Sequence, residues 1–210
     1  MLRWKGVEVS GGALLLWAIL YYFDNQGLLP LCLLACIFHE LGHYLAIWSL
    51  GGQVTRLRIT CVGAEMHLSG RRQLNWAGQV LAALAGPLVN LGVGFAALRL
   101  GGENGWCFAG INFALGAFNL LPAGCLDGSR ALNFLLQPLL GQEGAERVLR
   151  ALASALAVGL LAGALLLVRA GTWNLTLWFL GIWLLAGNRG KSRKKDLRFK
   201  RRYGKILRTQ

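Results

Sequence analysis

Histidine is scarce in this 210-residue chain, which has only three, and acidic residues number nine against 22 lysines and arginines. Three histidines are too few for the multi-histidine centres of membrane oxidases. Nine acids leave a short list from which any carboxylate chemistry must be drawn. The five cysteines are an odd number at no staple-like spacing, so no disulfide framework is implied. Charged residues make up 15% of the chain against 55% hydrophobic, and the mean hydropathy is positive. An ordinary soluble domain is thereby excluded, and with it the soluble zinc peptidases.

Long apolar runs take the place of what is missing. Spans are read near 11–23, 28–50, 76–100, 106–122, 149–168 and 172–187, the first short and the fourth interrupted by polar residues. The expected fold is an all-α polytopic membrane protein of about six transmembrane helices with one small β-hairpin. Residues 1–188 form the membrane domain and residues 189–210 a basic tail. The first run lacks a clear cleavage site and leads straight into another span, so it is expected to remain as a helix.

The net charge of +13 is unevenly placed: eleven of the 22 basic residues lie between Arg189 and Arg208. With six spans and the N-terminus inside, the inner segments also hold Arg3, Lys5, Arg56, Arg58, Arg71, Arg72, Arg130, Arg147 and Arg150. Only Arg99 and Arg169 fall outside, an asymmetry of 20 against 2. Positive-inside orientation then puts both termini in the cytoplasm of a multi-pass cell-membrane protein. The tail reads as a topology anchor on anionic lipid, with a partner-binding role as its alternative; no nucleic acid is expected as partner.

Within the second run stands HELGH, residues 39–43. A segment that crosses a bilayer excludes such residues unless they do chemistry. His39 and His43 are four apart, so a helix projects both imidazoles from one face, close enough to share a metal, with Glu40 beside them to handle a proton. Zinc is the expected metal. The bland reading is a set of buried polar residues satisfied by neighbouring helices. Cys32 and Cys36 share the same helical stripe, but Cys36, like Cys32 and Cys107, reads first as a small packing residue and only second as a ligand.

A catalytic zinc takes three protein ligands and leaves one position for water. Asp24 and Glu103 belong to the opposite side, while Glu8, Glu143, Glu146 and Asp196 sit in polar terminal or loop settings. Glu65, His67 and Asp127 remain. Asp127 lies in NLLPAGCLDG, residues 119–128, where Pro122 and Gly124 break an apolar helix and return a carboxylate at the membrane surface. Broken backbone at that depth needs protein or a water-filled cavity around it, which is what an active site provides. Asp127 is therefore the third ligand.

HELGH followed by Asn119, Pro122, Asp127 and Gly128 in an N-x-x-P-x-x-x-x-D-G arrangement resembles the site-2 protease family of intramembrane zinc metalloproteases. AGPLVN, residues 85–90, looks like an element of the intervening span. The resemblance covers about residues 28–135, that family's three-helix catalytic core, and points to its compact sporulation-type branch, whose protease releases a sigma factor from a membrane-bound precursor. Ser129 departs from the second glycine of many relatives. No PDZ domain is expected, and the short tail is expected in place of a regulatory domain. The resemblance implies His39, His43 and Asp127 as zinc ligands and Glu40 as general base. The substrate it implies is a membrane-anchored regulator, such as a pro-sigma or anti-sigma factor, in a bacterial membrane, with a membrane regulator as further partner.

Asn119 is a candidate to steady the tetrahedral oxyanion, with an interhelical hydrogen bond or a helix-end cap as its alternative. Asn90 reads as structural, and Ala82 and Gly86, four apart, offer a smooth face for close helix approach. Residues 56–69 read as a hairpin turning at Val62 and Gly63, with Thr60 facing Glu65, Arg58 facing His67 and Leu57 facing Leu68. That places Glu65 and His67 on a polar sheet face rather than at a metal. The hairpin either offers a strand edge to an unwound substrate or is a plain connector. The competing function is a metal-binding or client-binding membrane protein without turnover, for which an acid beside the first ligand has no use.

Overall fold

The computed structural model describes residues 2–4, 7–60, 63–68, 74–124 and 126–186. The basic tail expected at 189–210 lies outside them. Six helices and a four-stranded sheet make up the described chain: β1 (Leu2–Trp4), β2 (Val7–Val9), α1 (Gly11–Phe23), α2 (Leu28–Ser49), β3 (Val54–Thr60), β4 (Gly63–Leu68), α3 (Trp76–Leu100), α4 (Gly102–Asn119), α5 (Asp127–Arg169) and α6 (Leu175–Ala186). Among the described residues, α2, α3 and α5 are long and apolar enough to cross a membrane, and α1 and α6 are shorter apolar helices.

Local chemistry sets the helix starts. The Ser10 hydroxyl accepts the amide of Ala13 at the head of α1. At the head of α2 the two oxygens of Asp24 accept the amides of Leu28 and Leu29 at 2.9 and 2.8 Å, and Pro30 follows where a missing amide costs nothing. Asn75 accepts the Gly78 amide at 2.8 Å to begin α3. At 22 and 25 residues, α2 and α3 are about 33 and 37 Å long, enough for a hydrocarbon layer of about 30 Å.

Small residues let α2, α3 and α4 pack backbone to backbone. A Cβ on Gly42 of α2 would meet the Ala85 carbonyl of α3 at 2.8 Å, and one on Gly116 of α4 would meet the Pro87 carbonyl at 3.1 Å. Hydrophobic burial gains little inside lipid, so close van der Waals approach of this kind holds such helices together. Ala123, Leu126, Ala153, Ala157 and Leu184 form a second packed cluster, in which α5 and α6 clamp the turn after α4.

Three expectations are corrected. The stretch between the fourth and fifth expected spans, where Glu143 and Glu146 are expected in polar loop settings, is helix: α5 starts at Asp127 and breaks at Gly141 (φ 66°, ψ 172°), with Ala131 and Phe134 packed against Val80, Ala83 and Leu84 of α3. Two short N-terminal strands were not foreseen; β2 pairs parallel with β3, and Glu8 lies 3.6 Å from Arg56. The hairpin register differs by two residues. Thr60 pairs with Gly63, Arg58 with Glu65, Leu57 with Met66 and Arg56 with His67, so Gly63, expected in the turn, is a strand residue, and Val62 lies outside the described residues. A shift of two keeps every side chain on its expected face, because strand side chains alternate with period two.

Candidate metal centre

Three helices deliver the site. His39 and His43 project from α2 toward α3, where Gly86 leaves the space that the His43 ring occupies; a Cβ there would stand 2.7 Å from two of its ring carbons. Asp127 is the first residue of α5, brought back by the turn through Pro122 and Gly124. The start of α5 lies so close to Leu120 that a Cβ on Gly128 would collide with that residue's carbonyl. The glycine after Asp127 is thus a steric requirement of the turn.

Asp127 Oδ2 lies 3.0 Å from His39 Nε2 and 3.2 Å from His43 Nε2, and the two Nε2 atoms are 3.1 Å apart. His39 is 7% and Asp127 6% exposed. The far nitrogen of each ring is engaged. His43 Nδ1 donates to the Ala82 carbonyl at 2.7 Å, and His39 Nδ1 donates to Asn90 Oδ1 at 2.6 Å. With the ring protons committed there, both Nε2 atoms turn lone pairs toward a carboxylate oxygen. Such a triangle of electron-rich atoms is suited to a shared cation.

Zinc fits this donor set. Zn–N and Zn–O bonds of about 2.0–2.1 Å at tetrahedral angles put ligand atoms about 3.3 Å apart, against the observed 3.0–3.2 Å. Among the described residues these three are the one group of histidine, cysteine and acidic side chains gathered closely enough to hold a metal. Arg130, one turn along α5, approaches the other oxygen, Asp127 Oδ1, at 3.6 Å with its side chain half-exposed.

The remaining expected residues fall into place unevenly. Glu40 is partly buried and within electrostatic reach of His39, His43, Asp127 and Arg130. Asn119 is the last residue of α4, with its side-chain amide donating one hydrogen to the Leu115 carbonyl of the same helix at 3.0 Å. Cys36 is exposed and outside the metal group, and His67 is exposed on β4. Asn90, read as a structural residue, is bonded to the His39 ring. Asn112 was missed altogether: it is fully buried on α4 and bonded to Asn90 at 2.8 Å. The signal was present, since an amide inside an apolar span must find a partner there.

Apolar helices packed around two histidines and one carboxylate define a candidate metal centre of the membrane-embedded kind. Residues 12–121 match the family described as Peptidase M50B-like, and residues 103–163 match Peptidase family M50. The chain belongs to this family, the site-2 proteases. It is 24% identical over 186 residues to a zinc metalloprotease of Methanocaldococcus jannaschii, covering 84% of this chain and 50% of that one. It is 30% identical over 193 residues to Rip3 of Mycobacterium tuberculosis, covering 82% and 47%. The chain therefore spans about half the length of the curated relatives it matches. The solved site-2 protease from Methanocaldococcus jannaschii shares its fold, with a TM-score of 0.64 at 21% identity over 91% of this chain and 94% of that one.

Proposed function

We propose that this chain is an intramembrane zinc endopeptidase that hydrolyses a peptide bond within or near a transmembrane segment of another protein. The observation that carries the reading is the triangle of His39 Nε2, His43 Nε2 and Asp127 Oδ2, with sides of 3.0–3.2 Å, set between apolar helices. His39, His43 and Asp127 would hold the metal. Bound zinc supplies Lewis acidity at this point, acidifying water and polarising a peptide carbonyl.

Glu40 is the general base: adjacent to His39 in sequence, its carboxylate takes the proton of the attacking water and returns it to the leaving nitrogen. Asn119 is the candidate donor to the developing oxyanion through the amide hydrogen that Leu115 does not take. Helical backbone hides its carbonyls in hydrogen bonds, so substrates are proteins whose membrane helix unwinds readily near the cut. The motif resemblance supports a membrane-tethered transcriptional regulator, a pro-sigma or anti-sigma factor, in a bacterial cell membrane. Cytoplasmic termini are supported by the charge asymmetry, and the pairing of Val7–Val9 with Leu57–Ile59 puts the N-terminal strands on the same side as the α2–α3 connection.

Glu40→Gln keeps size and hydrogen bonding while removing the base. It should insert, retain zinc and lose turnover by at least ~10²-fold. The assay co-expresses parent or variant with single-span regulators and follows product, with zinc measured on the same samples. Equal cleavage by Glu40→Gln would refute Glu40 as the base, and a zinc-loaded parent that adds no product over cells lacking the chain would leave a metal-binding protein without turnover.

A further inference from the structure

A buried hydrogen-bond chain crosses the three central helices. On α4, Asn112 Nδ2 donates to the Phe108 carbonyl at 2.9 Å. Its Oδ1 accepts from Asn90 Nδ2 of α3 at 2.8 Å, and the same Nδ2 group donates to the Ala35 carbonyl of α2 at 3.1 Å. Asn90 Oδ1 then accepts from His39 Nδ1 at 2.6 Å. Both asparagines are fully buried, so no bond in the chain can be exchanged for water.

Backbone carbonyls only accept, and this fixes every direction in the chain. The Phe108 carbonyl demands the NH2 group of Asn112, which turns Asn112 Oδ1 toward Asn90. The Ala35 carbonyl and Asn112 Oδ1 together demand the NH2 group of Asn90, which turns Asn90 Oδ1 toward His39. An acceptor at that place requires the proton on His39 Nδ1, leaving Nε2 bare and directed at Asp127. Were Asn90 reversed, its NH2 would face Nδ1, the ring proton would move to Nε2, and the metal-facing lone pair would be lost. Asn112 doubles the cost of reversal, since a reversed Asn90 would set oxygen against oxygen at Asn112 as well as at the Ala35 carbonyl.

We propose that Asn112 and Asn90 are positioning residues, a two-amide relay that holds His39 in the one tautomer able to take zinc. The proposal rests on the zinc-site reading above and adds to it a residue on α4 that touches neither metal nor ligand. Partners of this kind that orient a metal-binding histidine typically account for 10- to 100-fold in metal affinity.

The test uses an isosteric pair in the full chain. Threonine at 112 can donate to the Phe108 carbonyl one turn back and still offer a lone pair to Asn90; valine has the same shape and neither capacity. Zinc affinity is measured in detergent by competition with a chelator of known affinity. Asn112→Val should bind at least tenfold more weakly than Asn112→Thr, with Asn112→Thr within about threefold of the parent, at the low end of that range. Agreement between the two variants, whether both tight or both weak, overturns the relay while leaving the metal site standing. A parent that takes no zinc overturns both. Should the valine variant fail to fold, 15N NMR of the metal-free, 15N-histidine-labelled parent reads the tautomer directly, with His67→Gln removing the one histidine outside the site. The proton should reside on His39 Nδ1; a proton on Nε2 overturns the proposal.

Discussion

Replacing Gly86 with alanine adds one carbon where the structure has no room for it. The new Cβ would stand 2.7 Å from both Cδ2 and Cε1 of His43 and closer still to Nε2, the atom that faces the metal. Non-bonded carbons prefer about 3.5–4.0 Å, so the ring or α3 must give by about 1 Å. The ring is tethered by its 2.7 Å bond to the Ala82 carbonyl, and zinc–ligand bonds tolerate only about 0.2 Å. Overpacking of this kind costs about 1–3 kcal/mol. If the strain is relieved by displacing His43, zinc affinity falls roughly 5- to 150-fold at about 1.36 kcal/mol per decade. Gly92→Ala on the same helix is the control, since a Cβ there meets nothing within 4 Å. Alanine is the better helix former by about 1 kcal/mol, so this variant should bind zinc as the parent does and be no less stable. Chelator competition and thermal unfolding on both variants separate metal loss from misfolding. A Gly86→Ala protein with parental zinc affinity would refute the close approach of α3 to His43.

Asp127→Asn should weaken zinc and turnover together, because it removes the negative charge between the two Nε2 atoms, whereas Asn119→Ala should spare zinc and lower only the rate. Zinc content and cleavage measured on the same preparations check both, and parental zinc affinity in Asp127→Asn would count against the ligand set. Asp24→Ala removes two amide acceptors from the head of α2 and should cost about 1 kcal/mol of stability, read as a lowered Tm; an unchanged Tm would mean that Asp24 does not cap the helix. In a cysteine-free background, single cysteines at Asn25, Glu103 and Ala170 should label from outside the cell and one at Lys205 should not. External labelling at Lys205 would overturn the six-span topology.

Much of this molecule is local and therefore legible in the chain. The bounds of α1, α2 and α3 follow from apolar run length and from capping residues adjacent to them. The four-residue spacing of His39 and His43 places both on one helix face whatever surrounds it. Asp127 could be reached by elimination because acids are few and a membrane span hides none of them cheaply. The rest depended on contacts between segments distant in sequence. Asp127, Arg130, Asn133 and Gln137 interrupt the apolar pattern at the start of α5; its helix packs Ala131 and Phe134 against α3. The three-residue strands β1 and β2 are too short to show periodicity and exist by pairing, β1 with β2 and β2 with β3. Alternation in the hairpin determined which face each side chain takes but not the register, since a slip of two residues leaves the faces unchanged. Asn112 shows the division most plainly. The sequence by itself requires that an amide inside an apolar span be satisfied, but its partner sits 22 residues away on another helix, and only the packing of α2, α3 and α4 decided that the bond would end on a metal-facing histidine.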